Sequence, residues 1–206
     1  MASRKVKYRL LSDIREGLKA SVAFFAPESK HDRELWDCRE FVLNLNLLAK
    51  DEEFVAQKDD PPDVVFRGAR FESKEIMDLG RRRHQEYRDA LERAELATDP
   101  AELLQHYTPV DLSPAEIGDL VERELAGLRS RYEPTLMHSL DLLFYVNLKN
   151  HHLRAGPMPS DFRFAGFGWR SVSAFIGWGA LVFYAALNAP EFVRTAAGRV
   201  TVRKFE

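Results

Sequence analysis

A chain of 206 residues, 45% hydrophobic and 30% charged, is long enough to bury a full core and excludes a small disulfide-stapled or disordered protein. Its formal net charge of -2 excludes the domain-wide basic field of many nucleic-acid binders, so any polyanion must be gripped locally. Cys38 is the single cysteine, which rules out an intrachain disulfide, and MASRKVKYRLLSD lacks a secretory apolar run, so a cytoplasmic protein is expected.

Taken in chain order, the first clear helix follows APESKHDREL, with Leu35, Cys38, Val42, Leu45 and Ala49 in a stripe at helical spacing. EFVAQ reads as a short strand, and KDDPP interrupts it because two prolines continue neither a helix nor a central strand. VVF and ARFESKEI follow as a strand pair around Arg67-Gly68. From Leu79 to Ala97 the pattern is helical and very polar, ending at Asp99-Pro100. A second amphipathic helix starts with Ser113 as N-cap, Pro114 at the first helical position and Glu116 closing a capping box. LDLLFYVNL is a buried strand, and the irregular KNHHLRAGPMPSDFRFAGFG places His151 and His152 in a surface loop.

Ser171 to Pro190 carries no charge and is just long enough to cross a bilayer. Its serines, glycines and internal IGWG instead suggest two buried strands joined by a turn, with a buried helix still open. APEFVRTAAG and a strand-like VTVRKF complete the chain. This order predicts one domain over 1–206, an α/β (α+β) three-layer pattern with a mixed sheet. Basic patches fall at Arg4, Lys5, Lys7 and Arg9, at Arg81, Arg82 and Arg83, and at Arg199, Arg203 and Lys204; each is equally explained as solvated surface.

A two-residue turn at Arg67-Gly68 makes the numbers of opposite residues sum to 135. Val64 then faces Phe71, and Asp63 faces Glu72. The two carboxylates become cross-strand neighbours with Cβ atoms about 4.5 to 5.5 Å apart, where like charges repel. Lys74 projects from the same face, roughly 7 Å further along. Val64, Phe66, Ala69 and Phe71 form the opposite, core face. A hard divalent cation between Asp63 and Glu72 would remove the repulsion, and the ammonium beside it could orient a water and stabilise phosphate charge. The plainer alternative is a half-exposed hairpin whose acids are neutralised by Lys74 or Arg70. The Glu-Ser-Lys tripeptide also occurs at Glu28-Ser29-Lys30, so the signal lies in Pro62-Asp63, the spacing of nine to Glu72 and the intervening hairpin.

These residues resemble the PD-(D/E)xK nuclease superfamily, with Pro62-Asp63 as the PD element and Glu72-Ser73-Lys74 as (D/E)xK. The resemblance implies a restriction-endonuclease-like core of helix, three antiparallel strands, helix and strand over about 33–148, with a strand-rich extension over 160–206. It implies Mg²⁺ or Mn²⁺ held by Asp63 and Glu72 with the Ser73 carbonyl as third ligand, Lys74 serving the water nucleophile, and a glutamate on the first helix, Glu40 with Glu34 as runner-up. Arg67, Arg70, Arg81, Arg82 and Arg83 would steer the phosphate backbone. The chain is also similar to an uncharacterised bacterial family described only as "putative endonucleases". The expected partners are nucleic acid, DNA first, and a second copy of the chain, with no membrane. The competing reading is a non-catalytic nucleic-acid-binding or protein-interaction module on the same fold, with the polar helix from Leu79 to Ala97 as its surface.

Overall fold

The computed structural model describes residues 4–205, with side chains from Val6 onward, so the Arg4 and Lys5 side chains of the first basic patch lie outside the described residues. The helices are α1 Arg4–Phe24, α2 Lys30–Asn44, α3 Arg83–Leu96, α4 Pro114–Leu128, α5 Pro134–Met137, α6 Phe162–Ala165 and α7 Glu191–Ala196. The strands are β1 Val55–Ala56, β2 Val64–Phe66, β3 Ala69–Met77, β4 Val110–Leu112, β5 Asp141–Asn147, β6 His151–Leu153, β7 Ser171–Ile176, β8 Gly179–Ala185 and β9 Arg199–Val202.

The chain divides into two compact units, one of residues up to Arg33 with Leu79–Thr108. It is built on α1 and α3. The sequence reading did not anticipate α1, although Leu11, Ile14 and Leu18 recur at spacings of three and four. Arg15 donates to the Ala94 and Ala97 carbonyls at 2.8 and 2.9 Å, supplying partners that the last turn of α3 cannot find within the helix. Phe25 stacks on Tyr87 with ring centroids 4.9 Å apart, and the Arg83 guanidinium lies 3.7 Å over the Phe25 ring.

The second unit, Glu34–Asp78 with the residues from Pro109 on, holds a seven-stranded mixed sheet in the order β1-β2-β3-β5-β7-β8-β9. β1, β2 and β3 form an antiparallel meander, β3, β5 and β7 run parallel, and β8 and β9 return antiparallel. Along the central strands successive side chains go to opposite faces, as a pleated strand requires. Leu143, Phe175 and Val182 meet Cys38, Phe41 and Val42 of α2 and Val193 of α7. Leu142, Phe144, Val172 and Phe183 meet Ile117, Val121 and Leu125 of α4. With both faces covered, the strands read as near-continuous apolar runs. Along the chain α2 and the meander are followed by α3 and β4 before α4, and α5 precedes β5.

The capping box at α4 forms as expected: the Glu116 N–H donates to Ser113 Oγ at 3.3 Å, and Glu116 Oε2 accepts from the Ser113 N–H at 2.7 Å. The uncharged run folds as β7 and β8 around a turn at Gly177-Trp178, where Gly177 has φ +51°. Among the described residues no helix is long and apolar enough to cross a membrane. One correction concerns His151 and His152. They stand not in a loop but on β6, which pairs in parallel with β4 as a separate two-stranded sheet. That pairing joins segments some forty residues apart, beyond the reach of local turn signals.

Where β3, β5 and β7 begin, Asp141 is fully buried and gathers all three. Its carboxylate accepts from the Arg70 N–H at 2.9 Å, the Ser171 hydroxyl at 2.8 Å and the Arg170 guanidinium, whose Nη2 also donates to the Gly68 carbonyl at 3.0 Å. Removing one partner of such a pair leaves an uncompensated buried charge, which costs about 3–5 kcal/mol. Asp141→Ala should therefore lower the unfolding free energy by that amount in urea denaturation, and a loss under about 1 kcal/mol would show that Asp141 does not organise this end of the sheet.

Candidate functional site

The two-residue turn produces the register read from the sequence: Val64 faces Phe71, Val65 faces Arg70 and Phe66 faces Ala69. The turn needs positive φ at both positions, met by Arg67 at 43° and Gly68 at 81°. Val64, Phe66, Ala69 and Phe71 are all completely buried toward α2. One residue before β2, the Asp63 N–H still donates to the Phe71 carbonyl at 2.9 Å. There the ladder stops, because Pro61 and Pro62 have no N–H to give. The Asp63 side chain takes over, its Oδ2 accepting from the Ser73 N–H at 2.8 Å.

Asp63 and Glu72 are 3% and 1% exposed, which removes the reading of this face as a solvated hairpin. One carboxylate oxygen from each of Asp60, Asp63 and Glu72 lies within 4.8 Å of the others. Glu72 Oε1 accepts from the Tyr132 hydroxyl at 2.6 Å and from the Lys74 ammonium. Glu72 Oε2 is buried and has no hydrogen-bond partner among the described residues. A bare carboxylate oxygen in the interior is costly unless something compensates it. Three converging carboxylates, one of them with an oxygen that no hydrogen bond occupies among the described residues, are a donor set a hard divalent cation takes, so these residues fit one.

Electrostatics agree with that geometry. Burial, then the charge of Glu72, pushes the Asp63 carboxyl up to about 7, with Glu34 adding to the rise and the Ser73 N–H and Lys74 opposing it. Burial works to lower Lys74, but its hydrogen bond to Glu72 and the charges of Glu72, Tyr132 and Asp63 outweigh it and hold the amine above its ordinary value. Lys74 is therefore a fixed cation here. Burial, then the bond to Glu72, pushes the Tyr132 phenol up to about 12, so it is a donor at neutral pH.

On the other face of β3, Ser73 Oγ donates to Asp37 Oδ2 of α2 at 2.7 Å. Glu34 and Asp37 are buried at 7% and 9%, beside the buried Cys38. Burial, then the charges of Asp37, Asp63 and Glu34, holds the Cys38 thiol well above its ordinary value, as for an inert core cysteine.

The structure thus gathers Asp63, Glu72, Ser73 and Lys74, and it adds Asp60, Asp37 and Tyr132. It does not bring Glu40 to them. Six residues from Glu34 is about one and two-thirds helical turns, which carries Glu40 away from the face holding Glu34, Asp37 and Phe41. Its carboxylate instead bonds Arg203 at 3.1 Å. For Ser73 the structure shows the N–H and the hydroxyl engaged. Arg67 forks onto Glu53 at 2.6 and 2.9 Å and onto the Leu48 carbonyl, which with the Lys50 N–H lowers the Glu53 carboxyl to about 2. Arg81 pairs with Glu86 at 2.8 Å, Arg83 covers Phe25, Arg82 is exposed, and Arg70 has a buried Nε without a hydrogen-bond partner among the described residues. Asp60 has a sequence signal, an acidic pair ahead of the prolines in KDDPPD. Tyr132 has none, since it arrives from sixty residues away.

A family model described as "Putative endonuclease, protein of unknown function (DUF1780)" matches residues 7–205. A solved structure from Pseudomonas aeruginosa strain PAO1, described as a protein of unknown function of the monooxygenase superfamily, is 27% identical; it covers 100% of this chain and 97% of its own, with a TM-score of 0.66. No curated protein matches the chain.

The raised Asp63 pKa has a measurable sign. Because the folded value, about 7, exceeds the ordinary 3.8, folding favours the neutral acid. That contribution is complete below the unfolded value and is lost as pH rises through about 7. Thermal melts in EDTA should show stability falling across this window, with a smaller fall in Asp63→Asn; equal slopes in the two proteins would contradict the assignment.

Proposed function

The chain belongs to the family described as "putative endonuclease, protein of unknown function", and from that premise we propose that it is a divalent-metal-dependent nuclease of the PD-(D/E)xK kind, hydrolysing phosphodiester bonds of nucleic acid, DNA first. One observation carries the reading: three carboxylates, two of them buried, converge beside a lysine, and one buried oxygen of Glu72 has no hydrogen-bond partner among the described residues. The succession of α2, the antiparallel meander, α4 and β5, with α3 and β4 between meander and α4, supports it, as does the closeness of the Asp63 and Glu72 carboxylates at Pro62-Asp63 and Glu72-Ser73-Lys74.

In this reading Asp60, Asp63 and Glu72 hold Mg²⁺ or Mn²⁺. When bound, the cation supplies Lewis-acid charge to the phosphate and lowers the pKa of water. The Ser73 N–H orients Asp63, and the Ser73 hydroxyl links it to Asp37. Lys74, protonated and half-buried, donates to the attacking water or to a phosphate oxygen and stabilises charge as the bond breaks. Glu34, whose charge reaches Asp63, is the accessory carboxylate of α2 in preference to Glu40. Of the arginines expected to meet the phosphate backbone in the second unit, Arg70 carries that role, since Arg67 is engaged on Glu53.

The test is cleavage of supercoiled plasmid, single-stranded DNA and RNA with Mg²⁺, Mn²⁺ or EDTA. Wild type should cut only with metal. Asp63→Asn and Lys74→Ala should each lose at least about 100-fold, the scale of a lost charge-stabilising group, while Glu40→Gln keeps its activity. Metal-dependent cutting that survives Asp63→Asn and Lys74→Ala would sink the site. Absence of cutting on every substrate would favour the non-catalytic binding module.

A further inference from the structure

The two oxygens of Glu72 have unequal surroundings. Oε1 accepts from the Tyr132 hydroxyl at 2.6 Å and from the Lys74 ammonium, whereas Oε2 is buried with no hydrogen-bond partner among the described residues. Lys74 also sits 5.9 Å from the centre of the Tyr132 ring, so the two donors to Oε1 are in contact range of each other. The ring itself is held edge-on against Trp169, with centroids 5.0 Å apart, and Trp169 is only 2% exposed. Tyr132 is therefore a fixed donor, anchored by core packing on the turn between α4 and α5.

A carboxylate oxygen offers about two lone-pair sites, and both on Oε1 are taken, one by a charge-assisted bond. Glu72 can then offer one oxygen and cannot chelate through both. That restriction discriminates between hard cations. Ca²⁺ takes six to eight oxygens and readily uses both oxygens of a carboxylate, whereas Mg²⁺ demands a near-octahedral set of single oxygens and keeps several waters. We infer that Tyr132 is a positioning residue which, together with Lys74, confines Glu72 to one-oxygen coordination and so makes the site selective for a small octahedral cation, Mg²⁺ or Mn²⁺, over Ca²⁺. This inference rests on the proposed metal centre, and it adds what sets the choice of ion.

The experiment is calorimetric titration of the metal-free protein with MgCl₂, MnCl₂ and CaCl₂, in wild type and Tyr132→Phe. The phenylalanine keeps the ring against Trp169 and removes only the hydroxyl, and circular dichroism confirms that the variant folds. Loss of an outer hydrogen bond changes metal affinity by about 10–100-fold. The expected result is that the ratio of Ca²⁺ to Mg²⁺ affinity rises at least about tenfold in Tyr132→Phe, with a similar rise in Lys74→Met. A ratio unchanged in Tyr132→Phe, whether both affinities hold or both fall together, overturns the role of Tyr132 and leaves the metal centre standing. Absence of divalent binding by wild type overturns the metal centre and this inference with it.

Discussion

The burial of two carboxylates side by side at the end of a hairpin is the constraint around which the rest of the second unit is arranged. Like charges so close in the interior repel strongly, and each has also been taken out of water. The fold answers with local compensation. A backbone N–H from Ser73 meets Asp63, a phenol and an ammonium meet Glu72, and one Glu72 oxygen has no hydrogen-bond partner among the described residues. The hydrophobic side of the same hairpin makes this arrangement obligatory. Val64, Phe66, Ala69 and Phe71 are packed against α2, and slipping β3 by one residue to separate the acids would turn Ala69 and Phe71 outward. Core packing thus holds the acids together against their own repulsion.

Much of this was readable beforehand, for identifiable reasons. The Arg67-Gly68 turn set the hairpin register because a two-residue loop leaves no freedom in the pairing. Ser113, Pro114 and Glu116 marked the start of α4 because a helix N-terminus has donors that only certain side chains satisfy. The uncharged run resolved into β7 and β8 through its Gly-Trp-Gly turn. What escaped depends on distance and phase. β4 and β6 find each other across the whole of α4 and β5, and Tyr132 reaches Glu72 from a turn whose own sequence gives no reason to look for it. Glu34 and Glu40 both lie on α2, and their helical phase, which a sequence does not display, points Glu40 toward Arg203 while Cys38 and Phe41 face the sheet.

The comparisons meet the site at different levels. The family description speaks of an endonuclease, and the solved relative is described by a monooxygenase superfamily; each is a statement about a fold's company more than about a reaction. The side chains are the more direct witness. Three carboxylates converge there beside a lysine, and the parallel strands β3 and β5 carry Glu72 and Lys74 just beyond Asp141, which pairs with Phe71 at their shared start.

Ser73 shows how much a consensus can hide. A motif written as acid, any residue, lysine leaves its middle position blank, yet here that residue makes two contacts of its own. Its amide steadies the Asp63 carboxylate beside β2, and its hydroxyl grips Asp37 of α2. The seating of α2 and the aim of Asp63 are thereby geared to one another, so that the helix is part of the instrument and not merely its casing.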